Sequence, residues 1–325
     1  MNTVTAAANS KNGVTGDKKV KRINPLALTS LALTFGLAVL VCMPMHAEDT
    51  TTYNFETINF PGDTFTQTLG INNSDRIAGY HGATLNRGFT LVLFSKAFTN
   101  ENFPGSAQTQ VIAINNSSKT AGFYIDAAGN THGFTDQRGS FLKVDFPGTL
   151  FNQLLGQNDS GQAAGYYSTK ADGTGPDHAY IFDEFGSVFE LLNIPASTSA
   201  QATGINNSGN VCGFFVDAKG VNHGFLLIRG RFELLHFPAS AGTQALGLNN
   251  KGQVVGLYTD SSNNTHGFVY TVSTKTFQSI DDPDGVGTTI VNGINDKGVL
   301  VGFFGTAPIN SGFVAIPRNR DPNHE

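Results

Sequence analysis

The sequence predicts an all-β fold, a six-bladed β-propeller of four-stranded blades, and three observations predict it. A Gly-Ile-Asn-Asn-like turn recurs at Gly70-Ile71-Asn72-Asn73, Ala113-Ile114-Asn115-Asn116, Gly156-Gln157-Asn158-Asp159, Gly204-Ile205-Asn206-Asn207, Gly247-Leu248-Asn249-Asn250 and Gly293-Ile294-Asn295-Asp296, with steps of 43, 43, 48, 43 and 46 residues. A period near 43 marks one supersecondary unit, which buries its apolar faces only against its neighbours. Spacing inside the copies is also constant. A glycine follows the turn's second residue by 8 positions in all six copies (Gly79, Gly122, Gly165, Gly213, Gly256, Gly302), and a proline precedes that residue by 10 positions in five copies and 11 in the sixth. Finally, the chain opens with an outer-strand sequence, Tyr53 to Gly62, and ends on a third-strand sequence, Ser311 to Pro317, with no fourth strand after it.

Residues 1–47 read as a secretory signal peptide. Lys18, Lys19, Lys21 and Arg22 form a basic region, Leu26 to Cys42 is apolar, and Met45-His46-Ala47 offers a cleavage site before Glu48. The alternative is an uncleaved N-terminal membrane anchor. A lipid attached through Cys42 is disfavoured, because Val41 stands where a small residue is wanted. The expected location is therefore secreted, extracellular or periplasmic, with no membrane association after cleavage.

Residues 48–317 are expected to be one propeller domain. The fourth copy shows the logic of a unit. Gln201 to Ile205 is a short strand, and Asn206 to Asn210 is a hairpin turn, since Asn and Gly tolerate positive φ. Val211 to Val216 is a second strand, His223 to Ile228 a third, and Arg231 to Phe237 a fourth. Four strands in 43 residues is the size of a propeller blade. The glycine of the second strand is expected where stacked blades approach closely. Each Phe-Pro-Gly-like segment ends a strand, because proline lacks an N–H to donate. Lys170 to Asp177 is a loop insertion in the third copy. Residues 53–60 are expected to pair with 311–316, closing the ring and removing exposed edges. An open β-solenoid fits a 43-residue unit less well. Residues 318–325 form a polar tail.

From residue 48 onward the chain carries 15 Lys+Arg and 24 Asp+Glu, a formal net charge of −9. Such a surface repels phosphate backbones, so no nucleic-acid partner is expected. Only Cys212 remains after cleavage, so no internal disulfide forms. A monomer is expected.

The residues His178-Ala179-Tyr180, with His132-Gly133-Phe134, His223-Gly224-Phe225 and His266-Gly267-Phe268, resemble the bacterial extracellular HAF-repeat family, named for its His-Ala-Phe tripeptide. The likeness spans nearly all of 53–317 and includes the Ile-Asn-Asn-x-Gly turn. Arg87 and Ser311 replace the histidine in the first and last copies. The resemblance implies a secreted bacterial repeat protein of propeller-like fold. It implies no activity and carries over no catalytic residue.

Four sets of residues are candidates for chemistry. An Asp stands six residues before a His at Asp126/His132, Asp217/His223 and Asp260/His266, and at Asp172/His178 in the insertion. These are either acid/base or metal pairs, or turn caps holding an imidazole; recurrence around a ring favours the caps. Gln67, Gln110, Gln153, Gln201 and Gln244 begin the first strand of five copies. If that strand is innermost, their amides ring a channel mouth and bind a sugar or peptide, or else they bond to a neighbouring blade. Asp281, Asp282 and Asp284 replace a Phe-Pro-Gly segment and offer carboxylates for Ca²⁺, although without EF-hand spacing; a solvated acidic loop is the plainer reading. The aromatic pairs Phe123-Tyr124, Tyr166-Tyr167, Phe214-Phe215 and Phe303-Phe304 read as core. No nucleophile elbow, phosphate-binding loop or helical His-Glu-x-x-His is present.

The expected function is a non-enzymatic propeller that acts outside the cell as a binding or interaction scaffold for a glycan, peptide or surface protein. The alternatives are a propeller hydrolase or lyase acting on extracellular polysaccharide or lactone, and a structural protein of the cell envelope. Asymmetry separates them: an enzyme needs one blade-specific polar cluster at a channel mouth.

Overall fold

The computed structural model describes residues 19–22 and 50–318. The described residues contain no helix and form six antiparallel sheets arranged in a ring, a six-bladed β-propeller. From inner to outer strand, blade 1 is Thr66–Ile71, Arg76–His81, Arg87–Val92 and Ala97–Asn100. Blade 2 is Gln108–Ile114, Thr120–Ile125, Thr131–Gln137 and Ser140–Val144. Blade 3 is Asn152–Gln157, Gln162–Ser168, Asp177–Asp183 and Val188–Leu191, with the insertion between its second and third strands. Blade 4 is Ser199–Ile205, Val211–Val216, Asn222–Ile228 and Arg231–Leu235, and blade 5 is Gly242–Leu248, Gln253–Thr259, Thr265–Thr271 and Thr276–Ile280. Blade 6 takes Ile290–Ile294, Leu300–Thr306 and Ile309–Pro317 from the end of the chain and Tyr53–Ile58 from its beginning.

That last pairing closes the ring as the sequence predicts. It is antiparallel and runs from Tyr53 opposite Pro317 to Ile58 opposite Gly312. Residues 19–22, within the expected leader, lie parallel to Val188–Leu191 on the outer edge of blade 3. The remainder of the leader, including the apolar run 26–42, and the tail from 319 lie outside the described residues.

Each inner strand carries a bulge at the same place, between Thr68 and Gly70 in blade 1 and between Ala202 and Gly204 in blade 4. The bulge corrects one expectation. The second-strand glycines do not mark an approach between blades. A Cβ on Gly79 would lie 2.2 Å from the carbonyl oxygen of Gln67 in the same blade, and on Gly256 2.0 Å from that of Gln244. Only glycine leaves room for the inner-strand carbonyl that precedes the bulge to sit this close to the second strand. Blade-to-blade approach falls instead on the inner strand: a Cβ on Gly293 would lie 2.5 Å from the Leu69 carbonyl oxygen, across the closure of the ring.

The core is divided among the interfaces between blades. Ile181, Ala202 and Phe225 pack between blades 3 and 4, and Ile77, Phe89, Val301 and Val314 between blades 6 and 1. The cluster between blades 1 and 2 is the smallest, formed by Ala78, Val111, Ile114, Tyr124 and Phe134. The Phe-Pro segments are latched to the next inner strand. The N–H groups of Phe60, Phe103 and Phe237 donate to the hydroxyls of Thr66, Thr109 and Thr243 at 2.9–3.0 Å. Their rings stack on the second strand, Phe103 on Tyr124 and Phe237 on Tyr258, with centroids 3.7 Å apart. The aromatic pairs expected in the core are buried or half-buried there.

Candidate functional site

The recurring turn builds one mouth of the central channel. The side-chain oxygen of Asn72 caps its own hairpin, accepting from the N–H groups of Ser74 and Arg76 at 3.0 Å. Its amide then donates to the carbonyl of Asn115 in the next blade. The same step runs from Asn115 to Asn158, Asn206, Asn249, Asn295 and back to Asn72, six bonds of 3.0–3.2 Å in a closed belt. These six asparagines are 3–8 % exposed.

A second belt lies outside the first. The backbone N–H groups of Asn73, Asn116, Asp159, Asn207, Asn250 and Asp296 each donate to the side-chain oxygen of the next member at 2.7–2.9 Å, and this belt also closes. The two aspartates stand opposite each other. Asp159 accepts the amides of Asn116 and Asn207, and Asp296 those of Asn73 and Asn250. Burial pushes the Asp296 carboxyl up, but these donors outweigh it and hold it below the usual range. The basin at this mouth is polar and measures about 380 Å³ counting the space open to solvent. Its hydrogen-bonding groups are largely spent on one another.

The five glutamines do not line that mouth or the channel behind it. They are half-buried, and three reach the preceding blade: Gln67 donates to Asn310, Gln110 to Asn86 and Gln201 to Asp177, at 3.4, 2.7 and 2.7 Å. Gln67 also accepts from the Tyr80 hydroxyl at 2.6 Å.

Three of the four Asp/His pairs form. The Asp126 carboxylate accepts the N–H groups of Ala128 and Asn130 and meets His132 Nε2 at 3.1 Å; Asp217 meets His223 at 3.1 Å and Asp260 meets His266 at 3.5 Å. Hydrogen bonds to Asn130 and His132 hold Asp126 well below its usual range, and bonds to Val221 and His223 bring Asp217 down to about 2. The fourth pair does not form, because Asp172 is turned into its own loop and accepts from Thr174 while His178 is exposed and stacks near Tyr167. A second carboxylate that spacing did not reveal holds the other face of two imidazoles: Asp145 lies 2.8 Å from His132 Nδ1 and Asp281 2.9 Å from His266 Nδ1. Burial opposes protonation of His266, but the Asp281 bond and charge prevail and raise its pKa.

The acidic segment is divided among separate roles. Asp281 belongs to His266, and Asp284 is exposed. Asp282 occupies the position of the latched phenylalanines, is 2 % exposed and is pushed upward by burial. Among the described residues, no three His, Cys, Asp or Glu side chains are grouped to hold a metal ion.

The polar cluster that breaks the symmetry is in the cleft between blades 1 and 2, which encloses about 1000 Å³ counting the space open to solvent. Aligning the copies shows how it arises. Glu101 stands where the other blades carry Ile58, Val144, Leu192, Leu235 and Ile280. Asp136 stands where they carry Leu91, Phe182, Leu227, Tyr270 and Ala315, and Thr120 where they carry Ile77, Ala163, Val211, Val254 and Leu300. The corresponding cleft between blades 3 and 4 carries Leu192, Val211 and Leu227 at these three positions, with Gln162, Glu190 and Asn193 elsewhere in its lining. In the polar cleft the Thr120 hydroxyl donates to the Glu101 carboxyl. Burial pushes that carboxyl up to about 7; the Thr120 bond and the Arg76 charge pull it down, and the Asp136 charge adds to the rise. Asp136 is 5 % exposed; one carboxylate oxygen accepts the Gly139 N–H and the other, Oδ1, has no partner. Leaving such a group unpaired costs about 1–3 kcal/mol or more. Arg76, Arg138 and Phe141 complete the wall. Charged side chains at positions that the other copies fill with hydrocarbon mark this site in the sequence once the strand register is known.

Among the described residues no helix is long and apolar enough to cross a membrane. No protein-family model matches the chain, and no curated protein matches it. Solved structures do. TolB from Acinetobacter baumannii is 12% identical with a TM-score of 0.52, over 74% of this chain and 63% of that one. A putative TolB from Agrobacterium tumefaciens is 10% identical with a TM-score of 0.53, over 71% and 88%. AofleA from Arthrobotrys oligospora is 13% identical with a TM-score of 0.51, over 83% and 88%. The chain thus spans less than two thirds of the first of these. At such identities the likeness is one of fold, and the β-propeller is what these chains share with this one.

Proposed function

We propose that this protein is a secreted, non-enzymatic propeller of the HAF-repeat kind that binds a ligand or partner outside the cell. The observation that carries this reading is the contrast between the repeated polar positions and the unrepeated ones. The Asn belts close on themselves and stitch each blade to the next, whereas the cleft between blades 1 and 2 is lined by Asp136, whose buried Oδ1 has no partner. A rigid scaffold with a polar cavity between two of its blades is the arrangement of a preformed binding site. The basic leader followed by an apolar run supports export.

The test is a glycan and peptide array on the purified full-length protein, run with and without Ca²⁺. Binding without turnover supports the reading, and absence of binding on both arrays overturns it. A second reading draws on Glu101. A carboxyl held at about 7 is half protonated at neutral pH, which suits a general acid, and Asp136 lies near enough to raise it. Release of reducing sugar from a polysaccharide, lost in Glu101→Gln, would move the protein to the hydrolases.

A further inference from the structure

We propose that the cleft between blades 1 and 2 is a site for a neutral saccharide, one pyranose unit seated among Arg76, Glu101, Asp136, Arg138 and Phe141. The inference rests on the extracellular-binding reading and names its ligand class.

The cleft wall mixes carboxyl acceptors with guanidinium donors. The Asp136 carboxylate lies in the cleft wall with Oδ1 buried and unpartnered, which favours an occupant that carries a hydrogen-bond donor. Arg76 and Arg138 are donors only and need acceptors. A phosphate or sulfate satisfies the arginines but meets the Asp136 and Glu101 carboxyls. A cation satisfies the carboxyls but meets two guanidinium groups. A hydroxyl donates and accepts, so adjacent hydroxyls on one ring serve both kinds of wall at once. They also tolerate either protonation state of Glu101. The half-buried Phe141 ring offers an apolar surface for the C–H face of a sugar. Without the space open to solvent the cavity is about 460 Å³, within the range of about 300–1,000 Å³ that small ligands use. Placement adds to this: the same positions are apolar in every other blade, so the fold itself does not require the carboxyls there.

The test uses ligand-observed NMR on the full chain with glucose, galactose, mannose, fucose and N-acetylglucosamine and their short oligomers, and with sulfate and one acidic and one basic peptide as controls. Glu101→Leu and Asp136→Leu restore residues that other blades carry. Both are expected to fold with a Tm at or above that of the parent and to weaken sugar binding about tenfold or more. Arg138 is exposed, so Arg138→Gln leaves the fold intact and is expected to weaken binding about fivefold. Sugar binding that survives all three changes overturns the cleft assignment while leaving the binding-scaffold reading standing. Binding of the charged controls alone overturns the saccharide class. A lowered Tm in the leucine variants would assign the carboxyls to architecture and overturn the site. No binding to any sugar or array peptide removes both readings.

Discussion

The channel mouth and the cleft between blades 1 and 2 are both polar, yet they are built in opposite ways. At the mouth, six copies of one turn each contribute the same asparagine, and every side chain finds its partner one blade further on. In the cleft, one interface replaces apolar positions with Glu101, Thr120 and Asp136, and one carboxylate oxygen is left without a partner. In a repeat protein, polarity that recurs is architecture, because each unit must be stitched to the next. Polarity that appears once, at a position the other units fill with hydrocarbon, is a departure that the fold pays for without needing it.

Five measurements test that contrast. Deleting Tyr53–Ile58 has the largest expected effect, because it strips the outer strand from blade 6 and bares the edge of Ile309–Pro317. Urea titration should show loss of the single cooperative transition, and size exclusion should show association. A monomeric variant of parental stability would refute ring closure. Next, Asn206→Ala removes the cap on Ser208 and Asn210 and the bond to the Asn249 carbonyl. A loss of about 2–4 kcal/mol is expected, against under about 1 kcal/mol for Asn207→Ala in the exposed belt. Equal costs would show that the buried belt is no more structural than the outer one. In the cleft, Glu101→Leu should stabilise by about 1–2 kcal/mol, the sign expected when a buried polar group yields to a packed apolar one. Destabilisation there would move the cleft into the same class as the mouth.

Three smaller effects follow. Asp217 is lowered from 3.8 to about 2, chiefly by its bonds to the Val221 N–H and to His223. Its stabilisation is complete above pH 3.8 and is lost as the pH falls through about 2, so the acid limb of the Tm profile should flatten in Asp217→Asn. His266 is raised, so its contribution is present below its unfolded pKa and fades as the pH rises through the folded value. Least of all, Ala239 stands in the Phe-Pro-Gly turn at φ 60, where Gly62 of the first copy has φ 82. The left-handed region costs a non-glycine residue about 1–2 kcal/mol, part of which the greater chain entropy of glycine cancels, so Ala239→Gly should stabilise by under about 1 kcal/mol.

Much of the architecture was legible in the chain. Strand pattern, turn chemistry and the unmatched ends at Tyr53 and Pro317 point to one closed ring, since each unit leaves an apolar face that only a neighbour covers. The second-strand glycines were read correctly as close approaches but attributed to the wrong neighbour, because a recurring glycine does not say whether the backbone it meets, here the Gln67 carbonyl at Gly79, belongs to its own blade or the next. The asparagine was legible as a turn residue but not as a link in a belt. Its partner lies 43 to 48 residues away in most steps and 223 away at the closure. The Asp172/His178 pair has the same six-residue separation as its counterparts and still fails to form, since the insertion lets the carboxylate cap Thr174 instead.

What the chain determined by itself was the unit, its length, its turns and the number of its copies, because these depend on local backbone preference and on alternation along a strand. Tertiary structure alone decided which polar groups would be satisfied and which left open. Glu101 and Asp136 sit 35 positions apart in ordinary strand sequence, and only the packing of blade 2 against blade 1 brings a carboxyl near 7 and an unpaired oxygen into one cavity. Burial and partnership are properties of the assembled ring, and they decide where this protein has a polar group to offer a ligand.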